Sequence, residues 1–303
     1  MRLVRAFRAA LVLVSAHTAI AAGCAENTII RRTAIVPSPN APSRSGMPLE
    51  KGEFRIEGTA DALALDPVSP VWLHDGAVAG SAGDPGVLVP EVQLGAQVWA
   101  GLPKGFEIGV HFRAAAYEWM RPNVNGVLAF PRGTEEDLFQ GGLGLRYNVP
   151  LGDDRFALAF ITEFSMVQVP EAIFVCRDET LCSGDQGLSA SEAEQAYDFD
   201  RIDHELFFLP TVGAQFGYRA LPELFPYIML GGSTGVTNTG FDDNLGSLPD
   251  DTLESYWMGY FGVGVEAKID KFVAGVSFYY PFGGEPLIDF GPMLSLKLGV
   301  SLK

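Results

Sequence analysis

Residues 106–119, FEIGVHFRAAAYEW, decide the fold because their side chains alternate between two sets. One set is Phe106, Ile108, Val110, Phe112, Ala114 and Ala116, and the other is Glu107, Gly109, His111, Arg113, Ala115 and Tyr117. A helix would scatter these two sets around its circumference, whereas a strand places them on opposite faces. The stretch therefore predicts a long β-strand with one apolar face.

The same period of two recurs from residue 52 to the last residues of the chain. Ten runs show it, at residues 52–65, 87–100, 105–119, 137–149, 155–169, 204–219, 225–237, 254–268, 271–280 and 289–302. Long and short connections alternate between them, which is typical of antiparallel strands in up-and-down order. The runs have 10–16 residues, whereas strands of soluble proteins average about 5–6.

The apolar face of these runs could cover a soluble core or contact lipid, because both give the same alternation. Four features favour contact of the apolar face with lipid. They are the length of the runs, the alternating connections, the aromatic residues near the strand ends and the glycine-rich second face. We therefore predict an all-β fold, an antiparallel up-and-down transmembrane β-barrel of about ten strands over residues 52–303. Because a closed barrel has no free edge for a proline, we expect a β-bulge at Pro210.

The N-terminal residues have the features of an export signal. Arg2, Arg5 and Arg8 precede a short apolar stretch, so residues 1–23 are predicted to be a signal peptide. AIAAGCAEN, residues 19–27, contains both a small-x-small cleavage site and a lipoprotein cleavage box before Cys24. No other stretch contains the 18 or more uninterrupted apolar residues of a transmembrane helix.

Residues 24–51 are rich in Pro, Ser and Asn and have no clear period, so we expect a flexible tether before the barrel. Cys176 and Cys182 are predicted to form a local disulfide in an oxidising compartment. Cys24 is then left unpaired, and lipid attachment would account for it. The predicted barrel begins and ends at its short-turn end, so we expect this lipid in the inner leaflet.

With this pattern and this leader, the chain resembles the small outer-membrane β-barrel proteins of Gram-negative bacteria. The resemblance implies an outer-membrane location, outer-membrane lipid as a partner, and short turns on the periplasmic side. The chain carries a formal charge of −16, and −16 − 3 = −19 without the three arginines of residues 1–23. Such a charge excludes nucleic-acid binding through phosphate contacts.

Charged residues on the second face are predicted to share the lumen of the barrel. They are Arg55, Glu57, Asp61, Glu91, Glu107, His111, Arg113, Arg146, Glu163, Glu205, Arg219, Glu266, Lys268 and Lys297. One interpretation is an interior network of ion pairs that fixes the barrel, and the other is a narrow path for ions or solutes. Ten strands argue against a general porin, since wide pores need roughly 16–18 strands.

Three further features bear on function. His204 follows Asp203 near the predicted outer rim, an arrangement similar to that of omptin proteases, although Ile202 occupies the position where their pattern has Asp. Acidic loops, including residues 170–203 and the pairs Asp242-Asp243 and Asp250-Asp251, offer oxygens to divalent cations. We find no metal cluster with convincing spacing and expect no cofactor.

The preferred hypothesis is a non-enzymatic barrel with a structural or surface-binding role through its long acidic loops. A narrow channel is the alternative, followed by an omptin-like protease or a soluble periplasmic barrel. The sequence does not identify the ligand bound at the surface.

Overall fold

The computed structural model describes residues 30–38, 42–63, 86–122, 130–152, 155–177, 195–238, 253–283 and 291–303. Within these ranges the chain forms thirteen β-strands. They are β1 (Ile30–Ile35), β2 (Phe54–Leu63), β3 (Gly86–Pro90), β4 (Val92–Gly101), β5 (Phe106–Ala115), β6 (Met120–Pro122), β7 (Leu138–Val149), β8 (Phe156–Cys176), β9 (Tyr197–Tyr218), β10 (Leu224–Asn238), β11 (Leu253–Ile269), β12 (Phe272–Phe282) and β13 (Met293–Leu302). None of the described helices is long and apolar enough to cross a membrane.

Ten of the strands close into an antiparallel barrel, which confirms the predicted fold. The order around the wall is β2, β4, β5, β7, β8, β9, β10, β11, β12 and β13, and β13 pairs with β2 to close the ring. We call the end with the short connections, such as residues 102–105 and 270–271, the turn side. The opposite end, with connections such as residues 177–196, is the loop side.

The wall is apolar outside and polar inside. In β5, Phe106, Ile108 and Val110 are exposed, whereas Glu107 and His111 are buried. Every wall strand contributes exposed apolar side chains to the outer surface, for example Phe54, Leu94, Ile108, Leu143, Phe164, Phe208, Leu230, Phe261, Phe278 and Leu298. An apolar surface that surrounds the whole molecule fits lipid, because soluble monomers rarely expose large contiguous apolar patches.

β8 and β9 extend further toward the loop side than the alternation predicted. Their connection is residues 177–196, shorter than the predicted loop over residues 170–203. Gln168 is the last β8 residue that pairs with β7. Beyond it, β8 pairs on the same edge with β1, from Glu171 to Val175. Residues 169–174 are buried on both faces, and a strand covered on both faces loses its alternating pattern.

The bulge expected at Pro210 is not at that position. The ladder between β9 and β10 ends at the pair Thr211↔Ser233, so Pro210 lies just beyond it and its missing N–H leaves no ladder bond unmade. The Thr234 hydroxyl donates to the Pro210 carbonyl on the β10 side, at 3.3 Å. The register shift between β8 and β9 instead lies between Ile173 and Phe174.

The predicted tether over residues 24–51 is wrong for most of its described residues. Residues 30–35 form β1, which pairs antiparallel with β8 and parallel with β3 at the loop side. An ion pair between Arg32 Nη1 and Glu171 Oε2, 2.7 Å apart, adds to the β1–β8 contact. Residues 42–50, which we call the lumen segment, then run inside the barrel, and all but two of them are buried.

The lumen segment leaves the barrel at the turn side, where the wall strands begin. The Gly52 N–H donates to the Gly101 carbonyl at 2.8 Å, and the Gly101 N–H donates to the Glu53 carbonyl at 2.8 Å. The chain therefore enters at the loop side, passes through the lumen and begins β2 at the turn side. This path differs from the expected one, in which the start of the chain lay at the turn side.

An apolar core fills the loop-side part of the barrel around β1. Ala34, Ile35 and Val36 are completely buried there, against inward-facing residues of the wall and of the short strand β3. The neighbouring members of this core are Leu88, Val89, Val167, Val169, Ala172 and Phe174. The barrel thus has an apolar cluster around β1 near its mouth, while most of its buried charges lie nearer the turns. The pair Asp61 and Arg113, 3.6 Å apart near the loop-side ends of β2 and β5, is an exception.

Candidate functional site: the lumen and its threaded segment

The structure buries ten of the fourteen charged residues that were predicted to face the lumen. They are Arg55, Glu57, Asp61, Glu107, His111, Arg113, Arg146, Glu163, Glu266 and Lys297. The other four lie elsewhere: Glu91 is half-buried between β3 and β4, Glu205 is half-buried on β9, Arg219 is exposed in the turn after β9, and Lys268 is half-buried at the turn side.

Arg44 of the lumen segment lies at the centre of this network. Its Nε is 2.7 Å from Glu107 Oε2, and its Nη1 is 4.0 Å from Glu266 Oε2. Two wall cations contact the same carboxylates: Arg146 Nε is 3.8 Å from Glu107 Oε1, and Arg55 Nη1 is 2.7 Å from Glu266 Oε1. These five side chains are almost completely buried, so each charge depends on its partners in place of water.

The charges of the wall and of the lumen segment balance. Among the described residues that were predicted to face the lumen, five buried acids (Glu57, Asp61, Glu107, Glu163 and Glu266) face four buried bases (Arg55, Arg113, Arg146 and Lys297). Arg44 brings the count to five of each sign. Two further buried acids, Glu53 and Glu171, pair with the half-buried Lys268 and Arg32. An unpaired charge costs several kcal/mol in a buried site, so the wall without the segment would hold one carboxylate too many. Arg44 lies in the stretch that was predicted to be a flexible tether, so it was not among the predicted lumen residues.

Other wall charges hydrogen-bond the backbone of the lumen segment. Glu163 accepts from the Ser43 N–H at 2.9 Å and from the Arg44 N–H at 3.1 Å. Lys297 Nζ donates to the Ser43 carbonyl at 2.8 Å. Because the segment has no ladder partner, these side chains satisfy backbone groups that a strand would satisfy through its neighbours.

Gly46 is held most closely. The Gln215 side-chain amide accepts from the Gly46 N–H and donates to the Gly46 carbonyl, both at 2.9 Å, and Arg146 Nη2 donates to the same carbonyl at 2.9 Å. Its φ is +100°, and an added Cβ would overlap the Glu266 carboxylate. Both the backbone conformation and the space therefore require glycine.

The rest of the interior is filled by aromatic side chains that lie over glycines. The Trp99 indole lies over Gly109 and Gly144, and Tyr260 lies over Gly213 and Gly231. The glycines of the lumen face therefore leave room for these large side chains. Not all of the aromatic residues near the strand ends face outward, since Trp99, Tyr227 and Tyr279 are buried inside the barrel.

In the lumen, Ser43 lies within hydrogen-bonding distance of both His111 and Glu163. The hydrogen bonds of these residues do not have the arrangement of a serine nucleophile activated by a histidine base. The Ser43 hydroxyl donates to Glu163 at 2.8 Å, so its proton is directed at the carboxylate and not at the imidazole. His111 Nε2 instead contacts the Ser165 hydroxyl at 2.8 Å. A nucleophilic serine must donate its hydroxyl hydrogen bond to the base that activates it. In addition, Ser43, His111, Glu163 and Ser165 are all buried.

At the loop-side rim His204 contacts a different carboxylate from the one next to it in sequence. His204 Nε2 is 2.6 Å from Glu136 Oε2, while Asp203 pairs with Arg201 at 3.1 Å. The similarity to omptin proteases therefore does not extend to a His–Asp pair at this position. In the part of the chain that the structure describes, no group of three or more His, Cys, Asp or Glu residues forms a metal-binding cluster.

Glu53 closes the network at the turn side, where it accepts hydrogen bonds from Lys268 and from the Ser301 hydroxyl. Burial raises the pKa of Glu53, but these hydrogen bonds outweigh burial, so its pKa lies below the ordinary value of 4.5. Exposed Lys303 makes a further ion pair with exposed Glu50. The end of the segment is thus tied to β11 and to the last residues of the chain.

Several predicted features lie outside the described residues. These are residues 1–29 with Cys24, most of the loop with Cys182, and the pairs Asp242-Asp243 and Asp250-Asp251. Cys176, at the end of β8, is described, but its pairing with Cys182 stays a prediction. The signal peptide, the lipid attachment and the acidic loops stay predictions for the same reason.

No family model matches this sequence, and no curated protein sequence matches it. Solved structures that match in fold include the N-terminal β-barrel domain of Pseudomonas aeruginosa OprF, 10% identical, over 85% of this chain and 100% of that chain, with a TM-score of 0.29. The NanC porin matches at 9% identity over 82% and 99% of the chains, with a TM-score of 0.30. The Ralstonia pickettii toluene transporter TbuX matches at 10% identity over 84% and 70%, with a TM-score of 0.34.

These neighbours are outer-membrane β-barrels, but likenesses of this size carry no argument about activity. The closed ten-stranded barrel rests on its own strand ladders.

Proposed function

We propose that this protein is a closed barrel of the Gram-negative outer membrane with a structural or surface-binding role, and that it does not conduct solutes. The observation that supports this proposal is the lumen segment. A channel would need water in the space that residues 42–50 fill. The backbone N–H groups of Ser43, Gly46, Met47 and Leu49 donate there to buried side chains of the wall.

The same observation disfavours the narrow-channel alternative. An ion crossing the lumen would have to displace Arg44 from Glu107 and Glu266 or separate the Gly46 backbone from Gln215. Each of these contacts is buried, and breaking a buried ion pair costs about 3–5 kcal/mol. A barrel of this kind serves as a wall that carries other parts of the chain outside the membrane.

The surface-binding part of the proposal concerns the loop side. Its described rim carries several exposed or half-exposed acids, among them Glu136, Asp198, Asp200, Asp203 and Glu254. Two of the nearby bases, Arg177 and Arg201, are already paired with these acids. An acidic rim favours cationic partners or divalent cations bridging to anionic lipid. We propose no enzymatic activity.

The test is conductance of the purified protein in planar bilayers, after heat-modifiable gel mobility and membrane fractionation have shown a folded barrel in the outer membrane. We expect no conductance steps from the intact protein. Steps of uniform size from a folded preparation would contradict the proposal and favour the channel. Recovery of the folded protein in the soluble periplasmic fraction would contradict the membrane location.

A further inference from the structure

The direction in which the chain passes through the barrel can be followed residue by residue. β8 runs from the turn side to the loop side and ends at Cys176, before a long connection. β1 is antiparallel to it and pairs with its last residues, from Ile30↔Val175 to Ala34↔Glu171. β1 therefore starts at the loop side and runs toward the turns.

Each later contact lies nearer the turn side. Ser43 contacts Glu163 and Lys297, near the middle of β8 and β13. Leu49 then donates its N–H to Glu107 Oε1 at 2.9 Å, at the turn-side end of β5. Glu50 pairs with Lys303 at the end of β13. The chain therefore crosses the height of the wall once, inside the barrel, before β2 begins.

At each of these heights in the barrel, residues of the N-terminal stretch form ion pairs or hydrogen bonds with particular wall residues. These specific contacts fix the direction in which the chain runs. In the reverse direction Arg44 would leave the Glu107–Glu266 level, and the glycine at the Glu266 carboxylate would be replaced by a residue with a side chain. Arg32 would also lose Glu171. Specific side-chain contacts, and not only the need to fill the lumen, therefore determine the path of the N-terminal stretch through the barrel.

We propose that the mature chain begins on the cell surface, because β1 begins at the loop side of the barrel and runs toward the turns. This inference rests on the proposed outer-membrane location, in which the short turns face the periplasm and the loops face outward. The barrel would then present the N-terminal end of its own chain outside the cell, as a display site or as a point of lipid attachment.

The reach of the chain decides which leaflet a lipid on Cys24 would enter. Cys24 lies six positions before Ile30 in the sequence, a span of at most roughly 20 Å. Met166, the last clearly exposed apolar residue of β8, lies nine residues before Val175, the partner of Ile30. That distance is about 23 Å along the axis of a barrel whose strands tilt by about 40°.

The edge of the apolar band at the outer leaflet is therefore only slightly farther away than the fully extended chain can reach. The inner leaflet lies roughly a further 25 Å below, across the apolar band. The inner-leaflet lipid expected from the sequence does not fit this geometry.

The experiment places one short epitope at three positions of the full-length protein and stains intact and permeabilised cells. Position 27 lies downstream of both cleavage sites that the sequence offers and upstream of β1. Gly133 is an exposed loop-side control, and Gly152 is an exposed turn-side control; no atom lies within 4 Å of an added Cβ at either. Heat-modifiable mobility shows for each protein that the barrel has folded.

We expect the epitopes at positions 27 and 133 to stain intact cells as strongly as permeabilised cells, and the epitope at position 152 to stain only after permeabilisation. If position 27 follows position 152 while position 133 keeps its pattern, the inference is wrong but the orientation of the barrel stands. If position 152 stains intact cells, the orientation itself is wrong, and both the proposed function and the inference are overturned.

Discussion

The two halves of the barrel interior bind the same N-terminal stretch in different ways. Near the loop side that stretch is β1, and the side chains around it are mostly apolar, as with Ile35 near Leu88 and Val89, apart from the ion pair of Arg32 with Glu171. Near the turn side it is the irregular lumen segment, and the side chains around it are charged. The difference follows from the backbone: a strand satisfies its own N–H and C=O groups in ladders, whereas an irregular segment needs polar side chains for them.

The buried polar and charged side chains of the wall thus satisfy backbone groups of the lumen segment. Glu163, Lys297 and Gln215 each contact backbone atoms of residues 43–46. Charges in a lumen are commonly expected to line an aqueous path, but here they substitute for water around a peptide. The predictions below compare the ionic half with the apolar half.

The largest effect is expected from removing the central cation. Arg44→Met leaves Glu107 and Glu266 without the segment's charge, and breaking such a buried pair costs about 3–5 kcal/mol of unfolding free energy. Urea unfolding of the folded barrel in detergent, followed by gel mobility, measures it. Lys303→Met, which removes an exposed ion pair with Glu50, is the control and is expected to cost at most about 1 kcal/mol. Equal effects of the two substitutions would contradict the central role of Arg44.

A smaller effect is expected from adding one methyl group to the lumen segment. Gly46→Ala is strained by its φ of +100° and clashes with the Glu266 carboxylate, so we expect a loss of about 2–4 kcal/mol. The matched control is Gly52→Ala, which has a φ of +79° but open space around an added Cβ. It is expected to lose only about 1–2 kcal/mol. If Gly46→Ala were no worse than Gly52→Ala, the Glu266 carboxylate would not be in contact with residue 46.

A still smaller effect is expected in the apolar half. Ile35→Val removes one methylene from a completely buried side chain, at a cost of about 0.5–1.5 kcal/mol. Because no charge is involved, the loss should be the same at pH 7 and pH 4. A loss that changes with pH would mean that β1 is coupled to the ionic network, against the division into two halves.

The smallest effect concerns Glu53. Its pKa lies below its ordinary value of 4.5 in the folded protein, so its contribution to stability is present above that value and is lost as the pH falls through the folded pKa. We expect Glu53→Gln to weaken the fall in stability of the barrel below about pH 4.5, as measured by urea midpoints across an acid series. An unchanged acid profile would show that Lys268 and Ser301 do not hold Glu53 ionised.

The sequence predicted the barrel wall well, because a wall strand repeats its two environments every second residue. It failed where that repeat stops. Residues 169–174 of β8 are covered on both faces by neighbours distant in sequence, so their pattern carries no period. Pro210 was placed in the correct strand, but only the end point of the β9–β10 ladder shows why no bulge is needed.

The lumen segment was missed for a different physical reason. Its contacts are made mainly by backbone groups to wall side chains, so its own side chains show no periodic pattern. The one available signal was a surplus of one acid among the residues predicted to face the lumen, which are seven acids and six Arg or Lys residues besides His111. A surplus of one acid does not say which residue outside the wall supplies the missing positive charge. Arg44 was therefore not recognised as the missing partner.

Hydrogen–deuterium exchange of the folded barrel tests most directly whether residues 42–50 occupy the lumen. The N–H groups of Ser43, Gly46, Met47 and Leu49 donate to buried wall side chains. A peptide covering residues 42–50 should therefore exchange as slowly as a peptide from β5. Complete exchange within seconds, at the rate of the exposed turn at residues 150–152, would show a free tether and contradict the threaded barrel.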